Sequence, residues 1–432
     1  MVPNRGGGES LLSAQKVIMS GNKFNEEVFM KAFWRSPVYV LCAATAIILI
    51  ANGSRQNFGL FLVPLSDDLG WGRSEFALSI AIQNLVMGAA APFVAAIADR
   101  LGPIRVIALS GVLYAIGLAL MSISTTPETM ILTAGFIVGL GASGVGFTLP
   151  LALVGRVAPE KSRTFWLGIV TAGGSAGQFT FAPTSIGLID FFGWSQGLIV
   201  LSIIVAFAIP LSLTMRAGSA ETLAKPDKQS LFQALAKALQ HRGYVLLVVG
   251  FFVCGFQVQF IGTHLPGFLQ DSGADNWLAA WALGTIGLFN LFGVIIAGWM
   301  GSHWRKKNLL SILYLLRGLL FLVFIQLPVT EITVLGFSAL LGLLWLSTVP
   351  LTSGIVAQIF GPRYMATLFA IVFFSHQLGS FVGVYLGGLF YDIYGTYEAA
   401  WWLAIILSGL AALIHWGIDD RTTERLSVDP AR

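Results

Sequence analysis

Hydropathy leaves this chain very few folds: apolar runs of roughly 20 residues, the length of a membrane-spanning helix, recur from Pro37 to Gly417 with short links between them. They fall at 37–66, 74–99, 104–124, 128–156, 163–189, 194–215, 243–270, 276–301, 308–327, 330–358, 363–391 and 397–417. Hydrocarbon offers no partner to a backbone N–H or C=O, so runs of this length must be helices that satisfy their own groups. The expectation is an all-α membrane protein with twelve transmembrane helices. Charged residues make up 11% of the chain, against about 25% in soluble domains, and the spans leave almost nothing over for a soluble domain. Met1 to Ala32 is polar and lacks an apolar core, so it does not read as a cleavable signal and the first span must direct insertion. Cys42 and Cys254 lie inside spans, which implies no disulfide framework.

The links sort by charge. Arg100 and Arg105, Arg156 with Lys161 and Arg163, the stretch from Arg216 to Arg242, Arg305 with Lys306 and Lys307, and Arg363 occupy alternate links, while the opposite set carries only Arg73. Positive charge collects on the cytoplasmic side, so both termini are expected there, in a bacterial inner membrane. The expected organisation is a cytoplasmic tail over 1–36, a six-helix unit over 37–216, a cytoplasmic link over 217–242, a second six-helix unit over 243–418 and a tail over 419–432. Within the link, Ser230 to Gln240 has the pattern of an amphipathic surface helix. The two units repeat: Thr148 and Pro150 recur as Thr348 and Pro350, Arg163 as Arg363, and Asp190 with Gly193 as Asp392 with Gly395, at an offset of about 200 residues. A parallel repeat of six helices is the plan of transporters whose halves rock about a midplane site.

At this point the residues carry a pattern. Ala95-Ala96-Ile97-Ala98-Asp99-Arg100-Leu101-Gly102-Pro103-Ile104-Arg105 resembles the loop motif between the second and third helices of the major facilitator superfamily, with Ala95 in place of the usual Gly. The resemblance implies two six-helix bundles and a gating role for Asp99, Arg100 and Arg105, which in that fold clamp neighbouring helix ends. In the second copy Gly298 is kept and Ser302 replaces the Asp, so a weaker clamp is expected there. Arg55 to Phe61, Leu69 to Arg73, Asp99 to Pro103, Gly174 to Gln178 and Gly193-Trp194 are further similar to the bacterial monocarboxylate and oxalate/formate branch. That likeness puts Arg55 where animal monocarboxylate carriers place a substrate-contacting Lys, and His376 near where oxalate exchangers place a Lys. It departs at the eighth span, where Asn290 and Val294 stand in place of an Asp and an Arg.

On physical grounds Arg55 is the residue to explain, because a charge at mid-membrane costs roughly 2.5 to 3.5 kcal/mol on insertion scales. A guanidinium is always protonated and its planar fork pairs with a carboxylate through two bonds. The competing reading is an arginine that snorkels outward or bonds carbonyls at a helix break near Gly53. Arg317 is the second buried cation; in the resembled fold the ninth helix is peripheral, which assigns it to bracing its bundle by bonding carbonyls or Asn290. His376 and Gln377 on the eleventh span, Gln257 on the seventh and Asn290 on the eighth complete the substrate-binding candidates, each with a bland alternative as an interhelical hydrogen bond. His376 is also the coupling candidate, as imidazole titrates near neutral pH. No Asp or Glu lies mid-span, and carriers of cations or protons generally use one there. A positive cavity instead attracts anions.

The leading expectation is a secondary transporter of small organic anions, monocarboxylates foremost, working by alternating access with proton symport or anion exchange. The alternatives are an efflux transporter for amphiphilic compounds and a transporter-like membrane sensor. No metal-ligand cluster, nucleophile elbow or phosphate loop appears, so neither an enzyme nor a cofactor is expected. The expected partners are the anion, protons in a coupled cycle and the bilayer, with no nucleic acid, and the chain reads as a monomer. If the charge asymmetry sets orientation, a cysteine placed within 217–242 will react with an impermeant maleimide only from the cytoplasmic side; labelling from outside would overturn the topology.

Overall fold

In the computed structural model the described residues are 36–159, 162–215, 238–360 and 365–420. The tail before Ser36, most of the link with its amphipathic stretch, Lys161, Arg363 and the chain after Asp420 lie outside them. Among the described residues, eleven helical segments are long and apolar enough to cross a membrane. One of these, Phe165–Thr214, has 50 residues, about 75 Å of helix and far beyond a hydrocarbon core of about 30 Å. Gly193 divides it: φ 79° and ψ 167° lie outside the helical region and in a range that favours glycine. The result is twelve crossings, which we label α1 (Pro37–Leu69), α2 (Arg73–Leu101), α3 (Pro103–Met121), α4 (Pro127–Val157), α5 (163–192), α6 (194–214), α7 (Arg242–Asp271), α8 (Asn276–His303), α9 (Lys306–Phe324), α10 (Glu331–Phe360), α11 (Met365–Tyr394) and α12 (Glu398–Trp416).

Several of the helices are not regular along their length, and the breaks in α1 and α10 bear on the polar interior. α1 is α-helical to Gln56, passes through a 3-10 turn over Phe58–Phe61 and resumes at Leu62. The Asn57 amide N–H bonds the Arg55 carbonyl, and the Asn57 side chain supplies the Gly53 carbonyl at 2.7 Å, replacing the backbone bond the turn gives up. The break therefore sits one turn later than Gly53. α10 is interrupted between Leu344 and Thr348, and α4 contains a π-helical stretch over Ile131–Ile137.

Association of helices in lipid rests on close packing and hydrogen bonds, since the surrounding tails are as apolar as the side chains. α7 and α11 show how: Gly379 and Gly383 lie so close to the Phe252 and Phe256 carbonyls that no Cβ fits at either position. In the second bundle Trp401 fills the space between α7, α9, α10 and α12, with Phe260, Phe268, Phe321, Phe324 and Phe337 at ring distances of 5.3 to 6.2 Å. In the first, the Tyr114 hydroxyl of α3 fixes α1 beside Arg55 through Ser54 Oγ at 2.9 Å and the Ala51 carbonyl at 3.1 Å. The bundles meet where α2 packs on α11, α5 on α8, and the 3-10 turn of α1 on α7, Gly59 lying against the Gly262 and Thr263 carbonyls.

Candidate functional site

Arg55 lies on the last turn of the first segment of α1, half-buried, and its Nη1 donates to Asn84 Oδ1 on α2 at 3.0 Å. Among the described residues it forms no ion pair, and its Nε is buried without a partner, as are Asn52 Nδ2 and Asn57 Oδ1 on the same short stretch. Buried polar atoms are nearly always bonded, so three unpaired ones on one short stretch of α1 are groups that the fold alone does not complete.

From Arg55 a chain of polar groups crosses into the second bundle. Gln377 Nε2 on α11 donates to the Asn84 carbonyl at 3.2 Å, and because a carbonyl only accepts, the orientation of that amide is fixed. Gln377 Oε1 must then accept from His376 Nδ1 at 3.0 Å, which leaves Nε2 as the basic nitrogen of the neutral ring. The imidazole is buried, stacked on Phe373 at 5.6 Å and tilted against Phe251 at 5.1 Å. It also interacts with the Cys254 thiol, whose sulfur is 3.8 Å from Arg317 Nη1. Two arginines singled out in sequence thus stand at the ends of one polar chain through Asn84, Gln377, His376 and Cys254.

Their Nη groups differ, although the Nε of each is buried without a partner. Arg317 is 1% exposed: Nη2 donates to the Leu344 and Trp345 carbonyls at 2.6 and 2.8 Å, and Nη1 to Gln257 Oε1 at 3.0 Å. Those carbonyls are the ones the break in α10 releases. Gln257 is fully engaged within its own bundle, donating to Ser408 Oγ at 2.5 Å and the Ala404 carbonyl at 3.1 Å, and does not join the Arg55 group. Asn290 is also apart from it: Nδ2 donates to Ser175 Oγ on α5 at 2.8 Å, and Oδ1 accepts the Leu346 amide at 3.0 Å.

Asp99 pairs with Arg156 at 3.3 Å, joining the ends of α2 and α4 within one bundle; both are about half exposed, where a pair is worth about 0 to 1 kcal/mol. Arg105 is exposed, and neither it nor Arg100 forms an ion pair among the described residues. In the second copy Arg305 takes Asp420, beyond α12, at 2.7 Å in place of the Asp that Ser302 replaces. Burial pushes that carboxyl up, and the Arg305 bond more than offsets it, holding Asp420 below its ordinary range. A concavity of about 580 Å³ beside this pair is lined by His303, Trp304 and Gln358; none of the substrate-binding candidates borders it.

At the opposite end the bundles are joined by residues that sequence reading passed over. Arg73 Nη2 and Nη1 grip Asp271 at 2.6 and 2.7 Å, Nη1 also donates to the Tyr397 hydroxyl at 2.7 Å, and the guanidinium lies 3.7 Å over the Tyr391 ring. The signal available was small: a single Arg in the acid-bearing links, with Asp271 and Asp392 at helix ends. Among the described residues, Arg73 and Ser74 at this end, and Asn290–Ser175 and Gln377–Asn84 at mid-depth, hydrogen-bond the two bundles together.

The model of the Major Facilitator Superfamily matches residues 41–383. The chain belongs to that superfamily, and it is a membrane transporter. It is 27% identical over 402 residues to the uncharacterized MFS-type transporter YcxA of Bacillus subtilis (strain 168), covering 89% of this chain and 96% of the relative. It is 26% identical to Monocarboxylate transporter 12-B of Danio rerio, covering 74% of each, and 24% identical to Monocarboxylate transporter 13 of Rattus norvegicus, covering 84% of each. Among solved structures, a bacterial homolog of the human lysosomal transporter Spinster, in an inward-facing and unoccupied conformation, superposes with a TM-score of 0.74 at 14% identity, over 90% of this chain and 99% of that one. The nucleoside transporter NupG does so at 0.76 and 12%, over 88% and 99%. These likenesses place the two-bundle fold.

Because Arg317 holds the broken carbonyls of α10, Arg317→Gln should lower the yield of folded protein and its melting temperature. Removing one partner of a buried charged network typically costs several kcal/mol. A variant that folds and melts as the parent would remove that role.

Proposed function

We propose that this transporter carries small organic anions, monocarboxylates foremost, across a bacterial inner membrane, with Arg55 as the anion ligand. One observation carries the reading: Arg55 stands where α1 meets α2, with a neutral amide as its one bonded partner among the described residues and its Nε unpaired. A carboxylate would satisfy both the charge and the fork. Relatives named as monocarboxylate transporters fit this chemistry. Gln377 and His376 are the next groups along the chain, and a bound anion would favour the protonated imidazole by opposite charge.

The cycle is alternating access about this position, as proton symport or anion exchange, in a monomer with both termini cytoplasmic. If the basic end faces the cytoplasm, the arrangement with Arg73 engaged is closed to the outside. Arg317 and Gln257 are support for the second bundle in this reading, Asn290 ties α8 to Ser175 of the first bundle, and the Asp99–Arg156 and Arg305–Asp420 pairs hold helix ends within each bundle.

Two measurements test it. Arg55→Gln should abolish binding of labelled monocarboxylates to the purified protein while leaving its melting temperature within a few degrees of the parent, and Arg55→Lys should restore only part, since the fork is lost; normal binding by Arg55→Gln would refute the anion site. If protons are coupled through His376, lower pH tightens binding because the anion and the proton favour one another. Uptake in proteoliposomes should then rise as external pH falls from about 8 to about 6, and His376→Gln should flatten that rise while exchange of preloaded anion continues. An unchanged profile in His376→Gln would exclude it as the coupling group.

A further inference from the structure

Two of the seams between the bundles, α2 on α11 and α5 on α8, are related by the repeat, and their helix starts are finished differently. α8 caps itself: Asp275 Oδ1 accepts the Leu278 amide at 2.6 Å, and Asp190, near the end of α5, is exposed. α2 cannot do this, because its N-cap residue is Gly72, without a side chain. Its first amides go to the other bundle instead. The Arg73 and Ser74 N–H groups donate to Asp392 Oδ1 and Oδ2 on α11, both at 2.8 Å. One carboxylate thus serves two of the four unpaired amides at the start of α2 and sits at the positive end of its dipole.

Two glycines make the approach feasible. A Cβ on Gly72 would stand 2.6 Å from Asp392 Oδ2, and one on Gly388 would stand 2.8 Å from Ser74 Cα. Replacing either would push α2 and α11 apart. The same turn of α2 carries Arg73, held by Asp271, Tyr397 and Tyr391, so two arms join the bundles here. The guanidinium arm depends on a side chain, whereas the Asp392 arm grips backbone.

We propose that Asp392 is a helix cap supplied by one bundle to the other, a positioning residue that stabilises closure at the Arg73 end because α2 is capped only while the bundles are together there. The seam of α5 and α8 has no such dependence, since Asp275 stays with its helix whichever way the bundles rock. Gly72 is the specificity element: its missing side chain makes α2 depend on the partner bundle. This rests on the alternating-access reading and not on the identity of the anion.

The test uses the full chain in nanodiscs with spin labels at Thr125→Cys and Gln326→Cys, exposed positions on opposite bundles at this end, with exposed Cys42 changed to Ser and buried Cys254 left in place. Asp392→Ala should move part of the population to longer distances, lowering the closed-to-open ratio about five- to thirty-fold, the size of a lost cap. Hydrogen exchange at Arg73 and Ser74 should quicken with it. Adding Gly72→Asp to Asp392→Ala gives α2 a cap of its own, and should slow that exchange again without restoring the short distance. Wild-type distances in Asp392→Ala, or short distances regained with the internal cap, would overturn the proposal, for Asp392 would then only order the end of α2. Should Asp392→Ala fail to fold, Gly72→Ala reads the same contact by crowding the carboxylate out, and unchanged distances there would equally overturn it. Loss of anion binding in Arg55→Gln leaves these distances untouched, so the two readings fail separately.

Discussion

A backbone carbonyl in hydrocarbon that loses its helical partner has no water to turn to, and leaving it bare costs several kcal/mol. Every break in a membrane helix must therefore be answered by a side chain from nearby. In α1 the answer is the Asn57 amide, which takes the Gly53 carbonyl. In α10 it is Arg317 for Leu344 and Trp345, with Asn290 Oδ1 receiving the Leu346 amide. The polar residues of the protein interior are placed largely by this demand, and that sets which of them remain available for a ligand.

The two buried arginines divide along this line. Because Asn57 answers the break in α1 without charge, Arg55, two residues earlier, keeps most of its donors. Arg317 spends its donors on the break in α10 and on Gln257, and its ring neighbour Tyr314 lies 5.4 Å away. Neither has a carboxylate partner among the described residues. A cation bonded by oriented carbonyls is stabilised by their dipoles at fixed positions, whereas one bonded by a single amide still attracts an anion across several ångströms at the low effective dielectric of such a site.

Much of the fold could be read from the chain because membrane helices obey a short list of constraints. Length and apolarity gave the spans, and Gly193, noticed only as part of a repeat, is the residue that separates α5 from α6. The superfamily was legible in Ala95 to Arg105. The site was harder, because residue type identifies a polar group but not the direction in which it bonds. Gln257 and Gln377 are both mid-span glutamines, yet one closes on Arg317 and Ser408 and the other reaches Asn84 across the bundles. Arg73 and Asp271 lie 198 residues apart, and no periodicity links them; only the meeting of the start of α2 with the end of α7 does. The weaker clamp expected in the second repeat rested on Ser302 alone, and a residue beyond α12 provides the acid for Arg305 instead.

The polar chain from Arg55 to Arg317 has one link that belongs to neither bundle, the bond from Gln377 Nε2 to the Asn84 carbonyl. Asn84 is tied to α2 by its own bond to the Ile80 carbonyl at 2.9 Å, and Gln377 is packed against Gly88. In a rocking cycle this bond must stretch or exchange while its neighbours on either side stay with their helices. The Gln377 Nε2 would then be released from α2, while Oε1 stays with His376 Nδ1 on the same helix. The amide of Gln377 thus stands between the bundles, with Asn84 and Arg55 on one side and the His376 ring on the other.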